Sequence, residues 1–176
     1  MKEGIKIAIS GRSGCGNSTV SRKVAEALGL KLINYTFRNM AEDYGMSMAE
    51  LAARAREDER WDRELDARQV EMARDGNCVL GSRLAVWVLE DADLRVFLTA
   101  PIEVRAERIH AREGGSLERV KAHTTQRDRE DHQRYLDIYG IDNDDYAHQV
   151  DLVVDTTGGD ADWVAGRIVA AARSLA

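Results

Sequence analysis

The sequence predicts an α/β protein in which a five-stranded parallel sheet carries helices on both faces. Two observations favour this class. Five short apolar runs alternate with helical patterns along the chain, and a glycine-rich turn follows the first of these runs. The 176 residues are enough for a single domain with a sizeable core.

The first strand and helix flank the glycine-rich turn. The β-branched run Ile5 to Ile9 predicts a buried strand, and the turn extends from Gly11 to Gly16. A helix is expected next, because Val20, Val24 and Leu28 are spaced four residues apart. The order strand, loop, helix is typical of a P-loop.

The later elements follow the same alternation. Strands are predicted over residues 31–34, 78–80, 94–99 and 151–155. Helices are predicted over residues 35–43, 47–75, 84–90, 101–112 and 116–140, with a last helix after the loop 156–159. The helix over the charged stretch 47–75 has few apolar positions, so we expect it to form, with the helix before it, a pair that packs on one side and projects as a mobile flap.

The glycine-rich turn predicts phosphate binding. Gly11, Gly14 and Gly16 allow successive backbone N–H groups to converge, and the following helix adds its positive dipole end. The hydroxyl of Ser18 falls where the motif places a magnesium ligand. Asn17 occupies the lysine position of the motif, and an amide carries no charge. Phosphate binding is therefore predicted, while phosphoryl transfer stays open on the motif alone.

Composition excludes several classes of partner. The net charge of −6 argues against general affinity for nucleic acid. No apolar run approaches 18 residues, so no membrane span is expected. Two cysteines do not make a disulfide framework; Cys15 is expected as a filler in the loop and Cys78 as a core residue. We expect a cytoplasmic monomer.

Arginines recur at helical spacings in two later segments. These sets are Arg105, Arg108 and Arg112, and Arg127, Asp131 and Arg134. Guanidinium groups match phosphate oxygens bidentately, so the two helix faces predict anion binding near the glycine-rich loop. A solvated face with i, i+4 ion pairs is the alternative, and we prefer it for Arg119 and Arg129. Arg83 directly follows an apolar strand, which favours a functional role.

The chain resembles the nucleoside monophosphate kinases, specifically the cytidylate kinases of the short, archaeal-like type. The resemblance covers nearly the whole length and rests on IAISGRSGCGNSTVSRKVAEALGL, FRNMAEDYGMSMAEL, WDRELDARQVEMARDGNCVLGSRLAVWV, LTAPIEVRAERIHARE and QRDREDHQRYLDIYGID. It implies a core that binds ATP, a helical flap that binds the monophosphate, and an arginine-bearing lid. These parts correspond here to residues 1–34, 76–112 and 149–176 for the core, about 35–75 for the flap and about 113–140 for the lid.

The resemblance also implies substrates and site residues. ATP with Mg²⁺ would donate the γ-phosphoryl group, and CMP or dCMP would accept it. The ATP phosphates would be held by Gly11, Arg12, Ser13, Gly14, Cys15, Gly16, Asn17, Ser18 and Thr19, with Ser18 also on the metal. Arg108 and Arg112 would serve the ATP side and the lid hinge. The acceptor would be bound by Arg38, Asp62, Asp66, Arg83 and Asp131, and the transfer would be assisted by Arg83, Arg127 and Arg134.

Two departures from the family pattern leave alternatives open. Asn17 replaces the lysine, and Gly81-Ser82-Arg83 stands where relatives show Glu-Gly-Arg or Asp-Gly-Arg. Loss of one preorganised contact slows transfer by on the order of 10²–10³, which a lid arginine or Arg12 could partly offset. One alternative is a nucleotide-binding sensor or scaffold that does not turn over. Another is a related kinase with a different acceptor such as UMP.

Overall fold

The computed structural model describes residues 1–175, and the strands within them form one parallel sheet. They are β1 (Lys6–Gly11), β2 (Lys31–Ile33), β3 (Cys78–Gly81), β4 (Leu94–Thr99) and β5 (Leu152–Asp155). Their order across the sheet is β2-β3-β1-β4-β5, and each neighbouring pair is parallel. The predicted five-stranded parallel sheet is confirmed.

Helices connect successive strands and cover the sheet. They are α1 (Asn17–Leu28), α2 (Phe37–Asp43), α3 (Met48–Glu57), α4 (Arg60–Met72), α5 (Ala85–Val88), α6 (Ile102–Glu113), α7 (Leu117–Tyr139) and α8 (Ala161–Ser174). Ser116 caps α7 by accepting a hydrogen bond from the backbone N–H of Arg119. Gly114, with φ of 76°, ends α6 where the sequence predicted a break.

The alternation of side chains along β1 separates two apolar cores. Ile7 and Ile9 belong to a buried cluster that includes residues of α1 and α8. Ala8 points to the opposite face and joins a second cluster with residues of α5. Cys15 lies in the first cluster and Cys78 in the second, so both free cysteines are core residues on opposite sides of the sheet.

Helices α2 to α4 have a small apolar core of their own. Met40 and Leu51 are fully buried there, and Trp61 on α4 packs against them. The sequence predicted helix throughout residues 47–75, but the backbone is extended at Asp58. The Asp58 carboxylate accepts a hydrogen bond from the backbone N–H of Arg60, which favours a new helix start at this point. Whether this unit moves as a flap remains a prediction.

No helix within residues 1–175 is both long enough and apolar enough to cross a lipid bilayer.

Candidate functional site

A cavity of about 620 Å³ opens at the carboxyl ends of β1, β2 and β3. Residues from the glycine-rich loop, α2, α4, the segment after β3 and α7 line it. Ligands of open α/β sheets bind at this edge. The volume is within the usual range for small-molecule sites, so the cavity is the candidate functional site.

The glycine-rich loop forms one wall of the cavity because its glycines permit a tight path. Gly14 has φ of 85° and Gly16 has φ of 91°, a region that favours glycine. A Cβ atom at Gly14 would also lie 2.8 Å from the backbone oxygen of Arg105. The hydroxyl-bearing residues Ser18 and Thr19 lie in the first turn of α1 on this wall.

The side chain of Asn17 is engaged by protein groups. Its Nδ2 donates to the backbone oxygen of Ser82 at 3.1 Å, and its Oδ1 accepts from the Ser21 hydroxyl at 3.0 Å. A Cβ atom at Gly81 would lie 2.5 Å from that same Ser21 oxygen. The Ser82 hydroxyl is buried and has no hydrogen-bond partner within residues 1–175. The uncharged amide therefore joins α1 to the end of β3.

Two arginines of α6 donate hydrogen bonds to the backbone of the loop. Arg105 is a buried residue, and its guanidinium donates to the backbone oxygen of Ser13 at 3.1 Å and to Asp128 at 2.7 Å. Arg108 donates to the hydroxyl of Thr156 at 2.8 Å and to the backbone oxygen of Gly14 at 3.4 Å. Both side chains use their charge on protein oxygens, which fixes the loop geometry.

Arg83 connects the loop to α7 within the cavity. One guanidinium nitrogen donates to the hydroxyl of Ser13 at 2.8 Å, and the other pairs closely with Asp131. Burial raises the pKa of the Asp131 carboxyl, although Arg83 and Arg127 lower it. Burial also raises the pKa of the nearby Tyr135 phenol to about 12. The phenol is therefore neutral at physiological pH.

Arg127 brings a second guanidinium to the same region. Within residues 1–175 it has no hydrogen-bond or ion-pair partner, and it lines the cavity. Burial and the nearby Arg83 lower its pKa, but a guanidinium stays charged at physiological pH. An unpaired cation beside a glycine-rich loop is well suited to bind an anionic ligand.

The flap side of the cavity contains a second ion pair. Nε of Arg134 on α7 donates to Asp62 on α4 at 2.9 Å, and a further guanidinium nitrogen contacts the same carboxylate and the backbone oxygen of Ala55. This pair joins α7 to α3 and α4. Arg38 is exposed and lines the cavity from α2.

Asp66 lies one turn after Asp62 on the same face of α4. Burial raises the pKa of its carboxyl to about 6, while a hydrogen bond from the Tyr139 hydroxyl lowers it and the Asp62 charge raises it further. Desolvation is therefore the dominant effect on this side chain.

Comparisons with known proteins identify the family. A model described as the cytidylate kinase-like family matches residues 6–158. The chain belongs to this family. Cytidylate kinase 2 from Borreliella afzelii (strain PKo) is 48 % identical over 156 residues, which cover 87 % of this chain and 88 % of the relative. Cytidylate kinase from Pyrococcus horikoshii is 42 % identical over 158 residues, covering 89 % of this chain and 82 % of the relative. The resemblance seen in the sequence is confirmed.

Solved structures agree with the fold of this cytidylate kinase-like chain. Shikimate kinase from Acinetobacter baumannii has a TM-score of 0.64 at 20 % identity, covering 98 % of this chain and 96 % of that one. A gluconokinase from Sinorhizobium meliloti has a TM-score of 0.63 at 20 % identity, covering 100 % and 95 %. At this identity the likeness concerns the fold of these kinases alone.

Most site residues predicted for this cytidylate kinase-like chain lie on the one cavity. They are Gly11, Arg12, Ser13, Gly14, Gly16, Asn17, Ser18, Thr19, Arg38, Asp62, Asp66, Arg83, Arg112, Arg127, Asp131 and Arg134. Two others lie elsewhere. The side chain of Cys15 is buried in the core, because the loop turns it toward the sheet. The guanidinium of Arg108 lies on the other side of the loop, where it donates to the Thr156 hydroxyl.

Sequence reasoning missed several residues of the cavity wall. They are Gln69, Tyr135 and Tyr139. Gln69 is seven residues after Asp62 and therefore lies on the same face of α4, and Tyr135 is one turn after Asp131 on α7. Helical spacing from the predicted acidic residues was the signal that could have found them.

Proposed function

We propose that this protein is a nucleoside monophosphate kinase that transfers the γ-phosphoryl group of ATP to CMP or dCMP. The observation that supports it best is the single cavity shared by the glycine-rich loop, the arginines of α7 and the acidic face of α4. One wall suits a triphosphate and the opposite wall suits a nucleoside. The cytidylate kinases among its relatives supply the substrate class.

In this proposal the loop binds the phosphates of ATP through its backbone N–H groups and the start of α1. Arg105 and Arg108 keep the loop in shape by holding the carbonyls of Ser13 and Gly14. The acceptor phosphate lies between the loop and Arg38, with Arg83 beside it. Phosphoryl transfer needs positioning and charge stabilisation rather than covalent chemistry by the protein.

The wall of the cavity also fits a magnesium ion. Ser18 presents its hydroxyl there at the first turn of α1, as the motif requires. Ser18 would hold the ion together with phosphate oxygens of the nucleotide. When bound, Mg²⁺ neutralises charge on the phosphates of ATP.

We assign the charge that Asn17 lacks to Arg83 and Arg127. Arg83 already contacts the Ser13 hydroxyl in the loop, and Arg127 is free to bind phosphate oxygens. Arg12 is a weaker candidate, because its guanidinium faces two carboxylates, Asp144 and, at 3.9 Å, Asp128, whereas Arg83 pairs with one. Closure of the flap and of α7 over both nucleotides would exclude water, which prevents hydrolysis of ATP.

A second candidate function rests on Asn17 itself. Both polar atoms of its amide bind protein groups, so the side chain makes no direct contribution at the phosphates. A protein that binds nucleotides without turnover would tolerate this arrangement. The kinase proposal is preferred because Arg83, Arg127 and Arg134 all line the cavity.

A coupled assay of ADP formation tests the proposal. The native protein would be given ATP and Mg²⁺ with CMP, dCMP, UMP or AMP, and each reaction would be repeated without acceptor. We expect ADP formation that depends on CMP or dCMP. ATP binding without turnover on any acceptor would favour the second candidate.

The monomeric state and cytoplasmic location expected from composition stay predictions. Light scattering on the purified protein tests the monomeric state.

A further inference from the structure

Gln69 on α4 carries a hydrogen-bond acceptor that the protein leaves unused. The residue is 2 % exposed and belongs to the cavity wall. Its Oε1 is buried and has no hydrogen-bond partner within residues 1–175. Buried polar atoms are nearly always paired, so an unpaired carbonyl on a residue of the cavity wall is suited to a ligand that supplies the donor.

The orientation of this amide is fixed by its other end. Nε2 of Gln69 donates to the backbone oxygen of Tyr35 at 2.7 Å. Turning the amide over would place Oε1 against that backbone oxygen, and two acceptors cannot form a hydrogen bond. Oε1 therefore stays available as an acceptor only.

The rest of this helix face is already satisfied. Asp62, Asp66 and Gln69 are spaced i, i+4 and i+7, so all three are on one face of α4 and line the cavity. Asp62 accepts from Arg134, and Asp66 accepts from the Tyr139 hydroxyl. Within the described residues, the Gln69 carbonyl is the one group of these three without a donor.

The position of Gln69 bears on which part of a nucleotide reaches it. In the proposed function the phosphate of a bound monophosphate lies toward the loop and its arginines, so its base would point toward α4. Gln69 belongs to that wall of the cavity, so the edge of the base is the part of the nucleotide that would meet it. Cytosine presents an amino donor at its C4 position, whereas uracil presents an acceptor oxygen there.

We propose that Oε1 of Gln69 accepts a hydrogen bond from the C4 amino group of cytosine and so makes the site selective for CMP and dCMP over UMP. This inference rests on the proposed function, since it names the base that the same site takes. Sites that hydrogen-bond a substrate N–H reject analogues that lack it, because the protein group is then left unpaired. Uracil would place its oxygen against Oε1.

Calorimetric binding to three nucleotides tests the role of Gln69. The ligands are CMP, UMP and the CMP analogue that has hydrogen in place of the C4 amino group, each titrated into the native protein and into Gln69→Met. We expect the native protein to bind CMP on the order of 10²-fold more tightly than the other two. Gln69→Met is expected to bind all three within about threefold of one another.

The control variant is Gln133→Met on α7, an exposed glutamine whose Nε2 donates to Asp137. It should keep the native preference for CMP. Equal loss of affinity for all three nucleotides in Gln69→Met would overturn the inference, because it would indicate a merely structural role. Equal affinity of the native protein for CMP and its analogue would overturn it even if Gln69→Met does not fold.

Turnover separates this inference from the proposed function. Selective binding of CMP with no ADP formation on any acceptor would refute the kinase proposal and leave the role of Gln69 intact. CMP-dependent ADP formation with equal kcat/KM for CMP and UMP would refute the role of Gln69 and leave the kinase proposal intact.

Discussion

The amide of Asn17 bonds to the backbone oxygen of Ser82 at 3.1 Å, so the first residue of α1 is tied to the residue that follows β3. The same amide accepts from Ser21, whose oxygen occupies the space beside Gly81. Asn17 and the Gly81–Ser82 turn are thus neighbours in space. A change at one is expected to affect the other.

Asn17→Lys should have little benefit for catalysis. The lysine loses two hydrogen bonds, each contributing about 1 kcal/mol to the free energy of unfolding, and Arg83 and Arg127 already supply positive charge. We expect a lower melting temperature and a gain in kcat of less than about tenfold, compared with 10²–10³ for an uncompensated site. Asn17→Ala is the matched control, since it removes the same bonds without adding charge. A gain above 100-fold would contradict the assignment to the arginines.

Gly81→Ala should destabilise the fold through Ser21. Its Cβ atom would lie 2.5 Å from the Ser21 oxygen and 2.8 Å from the Ser21 Cβ, and such overpacking costs about 1–3 kcal/mol. Chemical denaturation measures the loss. The cost should be smaller in a Ser21→Gly background, which removes both contacts. Gly158→Ala, with no atom within 4 Å of the added Cβ, should have little effect; additive costs at residues 81 and 21 would show that the clash is elsewhere.

Arg83→Lys should reduce kcat while the fold is retained. Lysine keeps the charge but lacks the planar fork that contacts Ser13 and Asp131 together. We expect a loss in kcat on the order of 10², read from the coupled assay with CMP. Arg74→Lys is the control, because Arg74 is exposed after α4 and pairs with Glu71. An unchanged kcat in Arg83→Lys would contradict a role of Arg83 in the transfer step.

Asp66 should make stability depend on pH. Its pKa is about 6 in the folded chain against an ordinary value of 3.8, so between pH ~4 and ~6 the folded chain keeps a proton that the unfolded chain has released. Stability therefore falls as pH rises through this window and then levels off. Between pH ~4 and ~7, the free energy of unfolding of Asp66→Asn should rise by about 2–3 kcal/mol relative to that of the native protein. Denaturation at each pH measures this difference.

Ala67→Ser, at an exposed position next to Asp66 on α4, changes no titratable group and is the control for this titration. Its difference from the native protein should stay nearly constant with pH. A flat difference for Asp66→Asn as well would contradict the expected effect of burial on Asp66.

Local patterns account for what could be predicted from sequence. The glycine spacing of residues 11–16 and the alternation along β1 depend on neighbours in the chain, so the loop and the sheet were predicted correctly. The break at Asp58 was missed because residues 47–75 contain no glycine or proline. Aspartate is a preferred residue at helix starts, so Asp58, which accepts from the N–H of Arg60, was an available signal.

Contacts between distant segments account for what was missed. The partners of Asn17 include Ser82, 65 residues away, and Arg134 contacts Asp62 across 72 residues. The burial of Gln69 depends on how α4 packs against the segment before α2. The resemblance assigned Arg108 to the ATP side, which stays a prediction; in the structure the three arginines of α6 contact different groups, since side chains on one helix face still point in different directions.

The ion pair between Arg105 and Asp128 has a mechanical consequence. Both side chains are nearly buried, at 5 % and 11 % exposed, and they fasten the middle of α7 to the base of the loop. The two halves of α7 extend in opposite directions from this anchored point. Any rotation of α7 would therefore have its pivot near Asp128. The contacts of Arg134 with Asp62 and the Ala55 backbone oxygen would transmit the displacement of its C-terminal half to α3 and α4.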